Sequence, residues 1–252
     1  MGFKKNSIAL VSFGFFFARA PLSAAPLNQD AALISRIDFL YFHRDQKNNL
    51  SESLKLIESG LSKDPKNVPL LWRKGRDLER IGENQTKSKE KLDFFEKARK
   101  TLEESIKINP KIPDAHYWLG VTLGRIGQTR GILRSLFLLE PLRRQMREAL
   151  SLDPHYEPAI HVLGEIYREL PRFVGGSIPK AIAEFKKARQ MEPNDLVNLL
   201  SLGQAYQDAK ENTKALEVLN QALSVKNPAD PGEAADNRKD IQKVIQEIKS
   251  GD

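Results

Sequence analysis

Proline and glycine recur along this chain at fixed distances, and few folds tolerate such spacing. Asp64-Pro65, Asn109-Pro110, Asp153-Pro154 and Glu192-Pro193 are each followed, ten residues after the proline, by Gly75, Gly120, Gly164 and Gly203. Counting back twelve from the same prolines gives Ser53, Ala98, Leu142 and Ala181. A fifth unit carries Ala215 twelve residues after Gly203, and its Asn227-Pro228 arrives one residue late. A further small position, Ser105, Ala149, Ala188 and Ala222, lies seven after the second-helix residue. Self-similarity at this period marks an array of stacked units, each unable to bury its apolar face alone.

The spacing predicts helical hairpins. Proline ends the second helix of one unit and opens the turn to the next, because it has no N–H and its ring clashes with the preceding turn. Glycine on the first helix and alanine on the second are expected to meet where the two helices cross closely. Tyr167 and Tyr206 follow their glycines by three and so share a helical face, a place held by Leu78 and Leu123 in earlier units. A final stretch, 234–250, carries Ile241, Val244, Ile245 and Ile248 on one face and reads as a capping helix. The fold class is an all-α solenoid of about five units over residues 34–228, with residues 25–252 as a single domain. Unit 1 is degenerate, with Tyr41 where glycine is expected.

The middle units are longer. From glycine to the second-helix small residue the interval is twelve in the last unit but 23, 22 and 17 in units two to four. The added residues fall in the turn within each hairpin and so share one edge of the solenoid. The first two additions keep helical periodicity and read as second helices begun early; ten such residues extend a hairpin by about 15 Å. The third, Leu170–Ser177, reads as a loop with Ser177 capping the next helix.

The first residues read as an address. Lys4 and Lys5 precede the apolar run Ile8–Ala18 and the small-residue tract ending Ser23-Ala24-Ala25, the order of a secretory signal peptide cleaved after Ala24. The run is too short to span a bilayer as a helix, and no later segment approaches spanning length. The expected location is periplasmic or secreted. The absence of cysteine excludes disulfides, thiolate metal sites, a cysteine nucleophile and a lipoprotein anchor. The formal charge of +7 overstates the basic character. Three basic residues belong to the leader, and without them 37 basic side chains face 33 acidic ones. Nucleic acid is not an expected partner.

The pattern resembles the tetratricopeptide repeat, best in residues 198–206 with 214–223. The stretch from Asp114-Ala115-His116-Tyr117-Trp118-Leu119-Gly120 through Gly175-Gly176-Ser177-Ile178-Pro179-Lys180-Ala181 is similar to two families with elongated hairpins. One is the exported T component of TRAP transporters; the other is the eukaryotic regulators of microtubule dynamics. The first resemblance implies an accessory that docks a periplasmic solute-binding protein and forms homo-oligomers. An envelope assembly factor that binds an extended peptide is the alternative, and an enzyme a distant third.

In a superhelix of this kind the first helix of each unit lines the concave face. Positions three before and one after each glycine give a candidate partner groove: Trp72 and Arg76, Tyr117 and Val121, His161 and Glu165, Leu200 and Gln204, with Asp38 and Phe42 from unit 1. Aromatic side chains would supply contact area and charged ones would fix polarity. Arg134, Phe137 and Phe173 mark a second candidate surface along the inserted edge. His161 and Glu165 stand four apart, which suits a metal or an acid–base pair, but no third ligand, nucleophile or phosphate loop accompanies them. Neither a metal, a cofactor nor a catalytic residue is expected.

Overall fold

The computed structural model describes residues 29–251. The expected leader, residues 1–24, lies outside them. Among the described residues there are eleven α-helices and no strand. They form five hairpins: α1 (Gln29–Phe42) with α2 (Asn49–Lys63), α3 (Val68–Glu83) with α4 (Ser88–Ile108), α5 (Pro113–Arg130) with α6 (Ile132–Leu152), α7 (Glu157–Glu169) with α8 (Ile178–Met191), and α9 (Leu196–Asp208) with α10 (Asn212–Ser224). A final α11 (Ala234–Ser250) packs on α9 and α10 and buries Ile241, Val244, Ile245 and Ile248, as expected of a cap.

Five of the helix starts carry a sequence signal. Pro69, Pro113, Pro158 and Pro179 occupy first-turn positions, where the missing N–H costs nothing. Asn67 and Asp195 accept hydrogen bonds from first-turn amides, and Ser177 does the same for Lys180 N. Residues 170–177 form the expected loop, with a short 3-10 turn at Arg172–Val174. The long middle units are also as expected: α4 and α6 each have 21 residues, against 13 for α9 and for α10. Part of the second insertion, in unit three, belongs to the first helix, because α5 runs on to Arg130 before the chain turns at Gly131, φ 95°.

The close helix contact needs a correction. A Cβ on Gly203 would lie 2.5 Å from Leu219, not against Ala215. The same holds along the array: Gly75 faces Leu102, Gly120 faces Met146 and Gly164 faces Phe185, at 2.2–2.6 Å. Each glycine makes room for one large side chain, set four residues beyond the small position of the second helix. The small residues are themselves fully buried, with Ser53, Ala98, Ala181 and Ala215 all at 0% exposure. Unit 3 breaks the rule with Leu142, and Gly124, one turn beyond Gly120, supplies the space: a Cβ there would lie 3.1 Å from Leu142. The elongated hairpins repeat the device two turns on, where Gly82 fits against Phe94 and Phe95 and Gly127 against the backbone of Ser135.

The two ends of the array meet. Helices α2–α3, α4–α5, α6–α7 and α8–α9 are each joined by four residues, whereas α10 and α11 are joined by nine, 225–233. That longer linker crosses to the first hairpin. Asp230 there pairs with Arg44, 186 residues earlier in the chain.

Candidate functional site

A cavity of about 560 Å³ opens on the concave side, within the size range of small-ligand pockets. Its floor is apolar, built from Val121, Leu139, Leu142, Val162 and Ile166, with Tyr41, Phe42 and Tyr117 beside them. On the α3–α5 side, its basic wall, it is lined by Arg80 and Arg125; on the α7–α9 side, its acidic wall, by Glu157, Glu165, Glu169, Glu192 and Asp195. Ala229, Asp230 and Glu233 of the long linker close the rim.

Of the eight groove residues expected from the spacing, Tyr117, Val121, His161 and Glu165 line this cavity. Trp72, Arg76, Leu200 and Gln204 do not. Trp72 lies under the guanidinium of Arg73, 4.1 Å from its ring centroid. Arg76, expected to flank an aromatic row, is only 3% exposed and is held by Asp38 at 2.8 Å and Asp77 at 2.9 Å. Leu200 is core. The continuous row through four units is therefore a cluster of two units, because α1 and α3 turn their polar groups inward to one another at one end and Leu200 joins the core at the other. Asp38 belongs to that inward network, whereas Phe42 reaches the cavity. On the second candidate surface, Arg134 is exposed and Phe137 and Phe173 are 79% and 88% exposed. Pro141 stands one turn beyond Phe137 inside α6 and cannot bond its carbonyl.

The acidic wall is tied together by Asn198, a residue absent from the sequence expectation. Its Nδ2 donates to Glu157 Oε1 at 3.0 Å, and its Oδ1 lies 3.2 Å from His161 Nδ1, so that ring nitrogen carries the proton. His161 Nε2 lies 3.9 Å from Glu165, which in turn accepts from Arg168 at 3.0 Å. No ion pair among the described residues reaches Glu157. Burial, reinforced by Asp195 and Glu192, pushes its carboxyl up to about 8. Burial also raises Asp195, against the pull of His161.

The basic wall is ordered around Tyr41. Arg76 and Arg44 lie 3.8 and 4.5 Å from its ring centroid, and Arg80 Nε donates to its hydroxyl at 3.2 Å. Tyr41 is thus where three arginines converge, which explains why the unit-1 position that reads as degenerate holds a large ring. Arg80 pairs with Glu83 at 2.6 Å and with Glu233 at 3.0 Å; Arg125 pairs with Glu79 at 3.3 Å and also with Glu83. Glu79 is fully buried, and burial raises its carboxyl despite Arg80 and Arg125. Walls of opposite charge over an apolar floor can seat and orient a chain segment. Among the described residues no group of three His, Asp or Glu side chains could hold a metal ion. No described helix is long and apolar enough to cross a membrane.

The profile of the family described as regulator of microtubule dynamics protein 1-3 matches residues 33–171 and 166–249. The chain belongs to that family. Its fold is similar to that of TTC0263 from Thermus thermophilus, described as a thermophilic TPR protein, at a TM-score of 0.65 and 19% identity. That match takes in 86% of this chain and 99% of the other. MamA of Desulfovibrio magneticus RS-1 matches at a TM-score of 0.48 and 15% identity, over 76% of this chain and 95% of that one. Among curated proteins, mitochondrial import receptor subunit TOM20-1 of Arabidopsis thaliana is 31% identical over 83 residues. Those residues are 33% of this chain and 44% of the relative, so the chain spans less than half of that protein's length. The likeness to TTC0263 shows a tetratricopeptide-type helical solenoid fold.

Proposed function

We propose that this regulator-of-microtubule-dynamics family member is an exported, non-enzymatic scaffold that holds an extended segment of a protein partner in its concave cavity. The observation that carries the reading is the cavity itself: an apolar floor with Tyr117 at its side, between a basic and an acidic wall. Such a site takes one or two apolar side chains of a bound segment and fixes its direction by charge. The leader-like residues 1–24 favour the cell envelope as its place of work. The Phe173–Ser177 loop, with its exposed Phe173, favours a periplasmic solute-binding protein as partner, in the manner of a transporter accessory; the envelope assembly reading uses the same cavity. Photo-crosslinking in the source cells tests this. A crosslinking residue at position 117 should capture a discrete partner, and one at the exposed Lys100 should not. Capture only at 137 or 173 would move the site to the inserted edge, and N-terminal sequencing of the recovered chain would read the cleavage after Ala24.

A further inference from the structure

The linker between α10 and α11 is built differently from the other joints of the array. It is nine residues long where the other inter-hairpin turns have four, and Pro228 and Pro231 keep it from turning helical. It lines the rim of the cavity as a strap that bends at residues 226–229 and turns at 231–233. Its backbone is fastened to the neighbouring turn by a single bond, from Ala229 N to Asn194 O at 3.2 Å. What holds it at the rim is a pair of carboxylates. Asp230 takes a bidentate grip from Arg44, at 2.9 and 2.5 Å, and Glu233 is shared by Arg44 at 2.8 Å and Arg80 at 3.0 Å.

The two arginines are not equivalent. Arg80 keeps Glu79 and Glu83 as further partners, whereas both carboxylates paired with Arg44 belong to the strap. Arg44 is a permanent cation with a side chain only 6% exposed, packed between the Tyr41 ring and the carboxylates of the strap. A strap displaced from the rim would leave an ordered arginine pair facing outward beside Phe42 and Tyr41. The acidic wall on α7–α9 repels carboxylates, so an acidic ligand can be seated only at this end.

We propose that the strap is an intramolecular stand-in for the partner, and that Arg44 and Arg80 receive an extended, proline-containing acidic peptide which binds by displacing residues 227–233. The inference rests on the cavity being the partner site and adds to it the partner's chemistry and a built-in competitor. In this arrangement the covalently attached strap competes at an effective concentration on the order of millimolar. A partner peptide must therefore offer more contacts than the strap does, and the cavity beneath supplies them.

The test uses the full chain and a labelled synthetic peptide, Asn-Pro-Ala-Asp-Pro-Gly-Glu-Ala, which copies residues 227–234. A chain carrying Asp230→Asn and Glu233→Gln should bind it at least tenfold more tightly than the unaltered chain does. The same peptide with Asn and Gln in place of its two acids should show no such gain, and adding Arg44→Gln should abolish the gain. Equal binding by the opened and unaltered chains, or undiminished binding after Arg44→Gln, overturns the proposal. Should the double variant lose helical content by circular dichroism, the unaltered chain answers instead. Saturating peptide must then speed hydrogen exchange at residues 227–233, and unchanged exchange overturns the proposal. Failure of the cavity reading shows separately, as loss of the crosslink at position 117, which this peptide assay does not use.

Discussion

Glu157→Gln should stabilise the protein, although it removes an acidic residue from the first turn of a helix, where a negative charge is ordinarily favourable. The carboxyl sits at the start of α7, on the acidic wall, with Asn198 Nδ2 as its hydrogen-bond donor at 3.0 Å. Burial and the neighbouring Asp195 and Glu192 raise it from 4.5 to about 8. Between those values the folded chain keeps a proton that the unfolded chain has released. Stability is therefore full below about pH 4.5 and falls as pH rises towards 8, by about 1.4 kcal/mol for each pH unit. At pH 7 the accumulated cost is about 3 kcal/mol. Glutamine keeps the acceptor for Asn198 and, like the carboxyl that the folded chain holds protonated, carries no charge at the start of the helix. The net expectation is a gain of about 2–3 kcal/mol at pH 7, or roughly 5–10 °C in Tm for a domain of this size. Denaturant unfolding across pH 5–8 is the assay. The unaltered chain should lose stability with rising pH, and the variant should lose clearly less. Glu233 and Asp38, which arginines hold below the usual carboxylate range against the opposing effect of burial, lose their contribution only as pH falls below about 4. They leave the upper window undisturbed. A destabilised Glu157→Gln variant, or one with an unchanged slope between pH 5 and 8, would refute the assignment of an uncompensated carboxylate to this wall.

Three further outcomes test the packing and the cavity. Ala215→Leu places a larger side chain at a fully buried position and should cost about 1–3 kcal/mol in denaturant unfolding. Gly127→Ala should destabilise by about 1 kcal/mol or more despite alanine's better helix propensity, since its Cβ would lie 2.9 Å from the Ser135 backbone, which cannot rotate away as a side chain can. Tyr117→Ala should weaken capture of the crosslinked partner by more than about 1 kcal/mol with little loss of helicity, whereas Trp72→Ala, whose ring packs against Arg73 outside the cavity, should lower the thermal midpoint and leave capture intact.

The hairpin ends, the Ser177 cap and the elongated middle units were legible because each follows from a local rule: proline stops a helix, a serine side chain starts α8, and helical periodicity carries α4 and α6 through their insertions. The partner of each glycine was not legible in the same way. Spacing showed that space was reserved, but Leu102, Met146, Phe185 and Leu219 fill it from the second helix, and only the crossing geometry selects them over the alanines one turn before. The concave row was half legible. Tyr117 and His161 share a cavity because their hairpins are neighbours, whereas Arg76 is drawn inward by Asp38, Asp77 and Tyr41, and Trp72 packs against Arg73 and Arg76. Asn198, which joins His161 to Glu157, had no motif to announce it.

The closure of the array follows from an imbalance visible only in three dimensions. The first hairpin and α3 gather Arg44, Arg73, Arg76 and Arg80 near Tyr41 and Trp72. Asp38 and Asp77 neutralise the inner two, and Glu79 and Glu83 serve Arg80. Arg44 is left over at the rim, with no carboxylate from its own hairpin. An open solenoid would expose that arginine to water at little cost, so the fold alone does not demand a strap. The nine-residue linker nevertheless uses five residues beyond the four-residue norm to bring Asp230 and Glu233 to the rim. Ordering those extra residues costs roughly 1–2 kcal/mol each in backbone entropy. Against that stand a few charge-assisted hydrogen bonds at about 1.5–3 kcal/mol each. The two sums are of similar size, and two terms that nearly cancel describe a closure that a competing acidic segment can tip.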